Sequence, residues 1–146
     1  MIALAADEIV MDVDAVLGPV DPVIGDTWHH YPAASVLAAL EIKNPNRDDS
    51  TLIMGDVAGK AIKQTMEQVF EMIKDKMDTE SAEKLAARLT TGTWTHDFAI
   101  TPRVARRFGL NVTTEMPAKV YELMDLYSQP AQRRSSVEYL PAPHKR

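Results

Sequence analysis

The chain has 146 residues, of which 45% are hydrophobic and 25% are charged, a composition typical of one soluble globular domain. Its 16 basic and 21 acidic residues give a formal net charge of −5, which offers no electrostatic basis for binding nucleic acid or an anionic membrane surface. It contains no cysteine, which excludes a disulfide framework and a thiolate nucleophile.

The first 25 residues combine a short helix with a ribbon of short strands and turns. Ala3-Leu4-Ala5-Ala6 has helical composition, and Ile9-Val10-Met11 is a short apolar run with strand character. A second apolar run at residues 15–17 precedes several glycine and proline turns. This pattern predicts the edge of an α/β core. The helical segment follows Met1 with no cap residue, as if the chain began within an element.

The middle of the chain is predicted to be mainly helical. Residues 25–31 form a polar-aromatic loop in this prediction, and a helix runs from Pro32 through Leu40. A long amphipathic helix, capped by Asp49 or Ser50, extends to about residue 76 because its apolar residues recur at three- and four-residue spacing. The small residues of its first half predict close packing against another backbone. A further helix covers residues 80–89.

The last third of the chain mixes strands and helices. Residues 90–97 are predicted to be a strand from their β-branched and aromatic residues. Thr101-Pro102 begins a short helix that ends at Phe108-Gly109, a strand covers residues 110–113, and a last helix covers 117–127. The Pro-rich basic composition of residues 128–146 predicts an extended or disordered tail, so residues 1–127 form the predicted domain.

Residues 3–22, ALAADEIVMDVDAVLGPVDP, carry a resemblance. They are similar to the segment that follows the nucleophilic serine in the serine dehydrogenase proteinase family, a branch of the Clp-protease/crotonase superfamily related to signal peptide peptidase A. The resemblance implies a partial ClpP/crotonase-like α/β fold with short strands, a long amphipathic helix and C-terminal helices. It also implies the C-terminal part of a ClpP-class serine peptidase, truncated just after the nucleophile, without the oxyanion glycines.

Residues 97–110, DFAITPRVARRFGL, carry a second resemblance, to a segment of Clp proteolytic subunits with the same internal spacing. In that family an aspartate at the position of Asp97 orients the catalytic histidine. A buried carboxylate in that role fixes the histidine tautomer and stabilises the imidazolium during acyl transfer. The alternative is that Asp97 only accepts hydrogen bonds from backbone amides of a turn.

The identity of the catalytic base stays open between several residues. Counted from the missing serine, the histidine of Clp proteases falls close to Asp21, so the triad does not carry over unchanged. His29, His30 and His96 are the candidates to replace it, and only their geometry can select one.

A lysine is the other type of base that the resemblance implies, because signal peptide peptidases use a Ser-Lys dyad. Lys60, within the long helix, and Lys43, ahead of the preceding loop, are the candidates. The alternative for both is a solvated surface role, since lysine side chains are seldom buried.

These observations favour a serine-peptidase homologue that acts on a peptide or protein substrate, with Asp97, His96, Asp21 and Lys60 as its candidate catalytic residues. Adjacent histidines cannot easily share a metal in an extended segment, so we expect neither a metal nor a cofactor. An alternative is a noncatalytic oligomerisation module, suggested by the eight methionines; acyl-CoA chemistry is a third function, for which no motif is found. We expect a cytoplasmic homo-oligomer that binds no nucleic acid. No apolar run approaches the roughly 20 residues that span a bilayer, so we expect contact with a membrane only through an anchor upstream of this chain.

Overall fold

The computed structural model describes residues 1–25 and 28–127 and has the predicted mixed α/β character. In chain order the elements are α1 Ile2–Ala5, β1 Ile9–Val10, β2 Val23–Gly25, β3 His30–Pro32, α2 Ala33–Glu41, α3 Asp49–Ile73, α4 Thr79–Thr90, α5 Pro102–Arg107, β4 Val112–Thr113 and α6 Ala118–Asp125. The chain divides into two compact units, residues 1–116 and 117–146. The predicted tail lies outside the described residues, so the domain boundary after residue 127 stays a prediction.

Side-chain caps mark the starts of α3, α4 and α5, whereas α1 and α2 have none. The first amides of a helix have no partner within it, and a preceding Asp or Thr oxygen can accept from them. The Asp48 carboxylate accepts from the Thr51 amide at 2.8 Å, so α3 starts there, slightly ahead of the predicted caps at Asp49 or Ser50. Thr101 caps α5, as predicted from sequence.

The core of the first unit lies where α3 and α4 pack together with parts of α1, β1, β4 and α5. Val69 and Ile73 on α3 are fully buried. Burying a side chain of this size stabilises a fold by about 1.5–3 kcal/mol. The buried cluster consists of Leu4, Ile9, Met11, Val69, Ile73, Ala82, Leu85, Ala86, Leu89, Ile100, Ala105 and Val112.

The N-terminal elements are held by residues far along the chain. β1 pairs in parallel with β4, with Ile9 opposite Val112. The ammonium group of Lys76 donates hydrogen bonds to the carbonyls of Leu4 and Ala6, each at 2.7 Å, and so satisfies carbonyls at the end of α1. Both contacts fix the position of α1 against the end of α3.

The first half of α3 packs against α2 around a smaller buried cluster of Ala33, Val36 and Ala58. Close packing occurs at Gly55, where an added Cβ would lie 2.0 Å from Cδ1 of Leu40. The close packing predicted for this half of α3 is present at Gly55, but the neighbour is a side chain of α2 and not the backbone that was predicted. Gly59, by contrast, faces open space.

Two predictions of local structure were wrong. Residues 30 and 31 belong to β3, which pairs with β2 in an antiparallel hairpin with Ile24 opposite Tyr31. Residues 25, 30 and 31 of the predicted loop are therefore in strands. Cross-strand pairing outweighed the polar composition there. Conversely, residues 90–97 contain no strand: Thr90 still belongs to α4, where its hydroxyl donates to the Ala86 carbonyl at 2.8 Å. The rest of that segment forms turns and bends.

The second unit contributes α6, which overlaps the predicted helix at residues 117–127. It follows Pro117, and none of its residues is buried. Its apolar residues Val120, Leu123 and Met124 are all exposed.

Candidate active site

Asp21 lies in an extended segment that backbone hydrogen bonds hold on both sides. The Val20 amide donates to the Leu89 carbonyl at 3.0 Å, and the Pro22 carbonyl accepts from the Ala33 amide at 2.9 Å. These bonds tie the segment to the last turn of α4 and to the first residue of α2. The side chain of Asp21 is 5% exposed. Asp21 therefore presents a nearly buried carboxylate from a fixed backbone.

His96 reaches this carboxylate from the segment between α4 and α5. Its Nδ1 lies 2.8 Å from Oδ1 of Asp21, and its own side chain is 71% exposed. Leu17 and Ile100 exchange two backbone hydrogen bonds of 3.0 and 2.8 Å, which bring the two segments side by side. Gly18 passes the backbone carbonyl of His96, where an added Cβ would lie 3.5 Å from the oxygen.

The hydrogen bond between these side chains selects one tautomer of the imidazole. An ionised carboxylate can only accept a hydrogen bond, so Nδ1 of His96 carries a proton when it contacts Asp21. In the neutral ring Nε2 is then the nitrogen with a free lone pair. The exposed edge of the imidazole thus offers a proton acceptor, which is the form that a general base requires.

Asp21 also changes the proton affinity of His96. The hydrogen bond to Asp21, followed by the attraction of its charge, raises the pKa of His96 above the ordinary value of 6.5. Asp97 adds a smaller attraction in the same direction. The pair therefore favours the protonated imidazole, which is the species formed when a base has accepted a proton.

Asp97 contacts a different partner from the one predicted. The side chain of Thr95 donates a hydrogen bond to its carboxylate and thereby lowers the pKa of Asp97 below 3.8. The imidazole of His96 bonds to Asp21 and meets Asp97 only through longer-range attraction. The predicted catalytic role of Asp97 stays a prediction.

The other candidate bases lie in different surroundings. Lys60 is on α3, where its Nζ pairs with Asp56 at 2.5 Å and its side chain is 69% exposed. Lys43 is exposed after α2, and His30 begins β3. His29 lies in the same hairpin, with its ring stacked on Tyr31 at 6.3 Å. None of these four residues is in the segments that carry Asp21 and His96.

A small apolar pocket adjoins the pair. Its volume is about 260 Å³, and His96 is part of its wall together with Met1 and Ala3 at the start of the chain. The apolar part of the wall includes Leu4, Leu17, Leu89, Ile100, Phe108 and Leu110. The position offers an apolar side chain a place beside the imidazole.

The chain is similar to a family of known proteins. The whole chain, residues 1–146, matches the model of ClpP-like SDH-type serine proteinases. The chain belongs to this family. Two uncharacterized proteins of Methanocaldococcus jannaschii are similar to it. One is 50% identical over 100% of this chain and 49% of its own length. The other is 49% identical over 99% of this chain and 50% of its own length. The chain thus spans about half the length of these curated relatives, and no solved structure matches it.

The structure pairs Asp21 with His96, and sequence reasoning did not. Both residues were candidates, but the resemblance of residues 97–110 implied the orienting role for Asp97. The sequence contained a signal for this pairing. Asp21 lies close to the position expected for the Clp histidine, and His96 is next to Asp97, the position expected for the Clp aspartate. The aromatic residues Trp94 and Phe98, on either side of His96, were also passed over.

In residues 1–25 and 28–127 no helix has the length and apolarity to cross a membrane. Within the same residues, no group of three or more potential metal-binding side chains of His, Cys, Asp or Glu comes together.

Proposed function

We propose that this chain supplies a serine peptidase with its general base, His96, and with the carboxylate that orients it, Asp21. The observation that carries the proposal is the 2.8 Å contact between the exposed imidazole and the nearly buried carboxylate. A carboxylate on Nδ1 holds the reactive tautomer and stabilises the imidazolium as it forms. Membership of a serine proteinase family supports the reaction class.

In the proposed reaction a serine oxygen attacks the carbonyl carbon of a peptide bond while the serine proton passes to Nε2 of His96. The bond between that carbon and the amide nitrogen then breaks, and the imidazolium gives its proton to the leaving amine. Water repeats both steps on the acyl-enzyme, which releases the carboxylic acid and restores the serine. Asp97 adds a second negative charge that favours the imidazolium.

The nucleophilic serine of this proposal belongs to a segment outside the 146 residues. The sequence has six serines, and none lies in a glycine-flanked elbow. Ser35, Ser50 and Ser81 are within helices α2, α3 and α4. The two relatives are about twice as long as the match, which leaves room for such a segment. The complete domain of the proposal has a crotonase-like fold, and this chain alone forms no acyl-enzyme.

The pocket beside the pair supports a peptide or protein substrate. Its wall joins His96 to the start of the chain, where the resemblance of residues 3–22 puts the nucleophile directly ahead of α1. An apolar side chain of a peptide can fill the 260 Å³ while the adjoining carbonyl faces the imidazole.

The test uses a joined protein, in which this chain follows the half of an archaeal relative that the match leaves uncovered. A fluorophosphonate probe, which reacts with an activated serine, should label the joined protein and leave the 146-residue chain unlabelled. His96→Gln should slow labelling by about a hundred- to ten-thousand-fold, because the base is lost. Lys63→Gln, an exposed change on α3, is the matched control and should not alter the rate.

Other outcomes of this experiment would contradict the proposal. Labelling that survives His96→Gln but is lost on Lys60→Gln would show a Ser-Lys dyad instead. Heat-sensitive labelling of a serine within the 146 residues would show that the nucleophile lies in this chain.

A second candidate function, self-assembly, is favoured by one observation on α3. Leu52, Ile53 and Val57 in its first half are 51%, 65% and 46% exposed, which leaves apolar side chains together on one helix. In this proposal a second copy of the chain covers them. Light scattering at micromolar concentrations should show a multimer that Ile53→Glu dissociates and that Gln64→Glu, further along the helix, leaves intact. A monodisperse monomer would exclude this candidate.

A further inference from the structure

An aromatic stack closes the base of the turn that carries His96. The rings of Trp94 and Phe98 lie 4.6 Å apart at an interplanar angle of 5°, and the Trp94 ring also contacts Phe108 at 5.7 Å. The guanidinium carbon of Arg88 lies 5.4 Å from the centre of the Trp94 ring. In the sequence, His96 thus lies midway between two residues whose rings are stacked nearly parallel.

The backbone of this turn is restrained mainly at its ends. The Phe98 amide donates to the Thr95 carbonyl at 3.0 Å, and Ile100 is the residue that pairs with Leu17. Between Thr91 and Ile100 the described backbone belongs to no helix or strand. Side-chain contacts therefore have a larger share in fixing its shape than they do in the segment around Asp21.

We propose that the stack of Trp94 on Phe98 positions His96 against Asp21. The two rings bring residues 94 and 98 together, so the residues between them form a narrow turn with the imidazole on it. Offset or parallel stacking of aromatic rings is favourable and has a preferred geometry, which apolar aliphatic side chains lack. Trp94 and Phe98 are positioning residues in this proposal, since neither is placed in contact with substrate.

Arg88 strengthens the stack from α4. Its guanidinium lies over both Trp94 and Phe108, at 5.4 and 5.7 Å from the ring centres. A cation over an aromatic face is attracted to it and restricts the tilt of the ring. The end of α4, which also accepts the backbone bond beside Asp21, is in this way linked to the turn that carries His96.

The geometric part of the inference is tested on the 146-residue chain by NMR titration of its histidine side chains. The His96 signal is assigned by its loss in His96→Gln. Phe98→Leu should move the pKa of His96 down toward 6.5, because a looser turn weakens the bond to Asp21. Phe70→Leu removes a partly buried ring from the same core but not from this turn, and it should leave the pKa of His96 unchanged.

A surface variant covers the case in which Phe98→Leu fails to fold. Arg88→Met lies on the exposed side of the stack and should move the pKa of His96 in the same direction by a smaller amount. An unchanged pKa in whichever of these variants folds, or an equal shift in Phe70→Leu, would overturn the inference.

The catalytic part of the inference rests on the proposed function and is tested on the joined protein. Phe98→Leu should lower kcat at least tenfold with little change in KM, and Phe98→Tyr, which keeps the ring, should restore it. A shifted His96 pKa in a joined protein without peptidase activity would sustain the positioning role and contradict the proposed function. An active joined protein in which Phe98→Leu changes neither the pKa of His96 nor kcat would sustain the proposed function and contradict the positioning role.

Discussion

The two segments that meet at the candidate site are held in place by different forces. The carboxylate segment, residues 17–22, is fixed by backbone hydrogen bonds to α4, to α2 and to Ile100. The imidazole segment, residues 91–99, is shaped mainly by side-chain contacts around Trp94. Backbone bonds form with almost any side chain, whereas a stack needs particular rings. Sensitivity to mutation should therefore concentrate on the imidazole segment, apart from Asp21 itself.

The largest expected effect comes from exchanging each acid for its amide in the joined protein. Asp21→Asn should lower the labelling rate by about a thousand- to ten-thousand-fold, because an amide can hold the wrong tautomer and cannot stabilise imidazolium. Asp97→Asn should cost about fivefold or less, as expected for an exposed charge that acts at a distance. If Asp97→Asn gives the larger loss, the role that the Clp-like spacing predicts for Asp97 is correct.

A smaller effect separates the two segments by their tolerance of an added methyl group. Gly92→Ala should destabilise the chain by about 1–2 kcal/mol from its left-handed backbone alone, since the φ of Gly92 is +73°. The close contact of the new Cβ, 2.4 Å from Cβ of Ala34, adds to this loss. Gly18→Ala should stay within about 0.5 kcal/mol, because its Cβ would meet only the His96 carbonyl at 3.5 Å. Urea unfolding measures both, and equal losses would contradict the distinction.

The next prediction concerns the pH dependence of the joined protein. His96 must be neutral to accept the serine proton, so the labelling rate should rise with pH through a pKa above 6.5. Removing the charge with Asp21→Asn should move that midpoint down toward 6.5, which a rate profile from about pH 5 to about pH 9 would show. A midpoint unaffected by Asp21→Asn would mean that another group titrates.

The smallest expected effect is on the pH dependence of the stability of the chain, and the contact between Asp21 and His96 sets its direction. The pKa of His96 is higher in the folded chain than its ordinary value, so the folded state binds this proton more tightly. Its contribution to stability is fully present below pH 6.5 and is lost as the pH rises through the raised pKa. The difference in melting temperature between the parent and His96→Gln should shrink with increasing pH.

The sequence predicted those features whose cause is local. The Thr101-Pro102 start of α5 and the end of this helix at Gly109, which has φ +82°, follow from the chemistry of the residues at those positions. The long α3 was predicted from apolar spacing, to within a few residues at each end.

The sequence failed where distant residues decide the outcome. Thr93, Trp94 and Thr95 have strand propensity. In the structure the Trp94 ring stacks on other rings and the segment pairs with no strand, so it forms turns and bends. The bond between Asp21 and His96 joins positions 75 residues apart, and no local propensity encodes it. The resemblance supplied both residues, and only the folded geometry paired them.

The parallel pairing of β1 with β4 has a consequence for the order of events during synthesis. The apolar run of residues 9–11 is made before its partner strand, which follows only at Val112–Thr113. At a ribosomal rate of about 5–20 residues per second, that run waits roughly 5–20 seconds for its partner. An apolar strand without its neighbour is prone to aggregation over such a time. The pairing of β1 with β4 can therefore form only after residue 113 has left the ribosome.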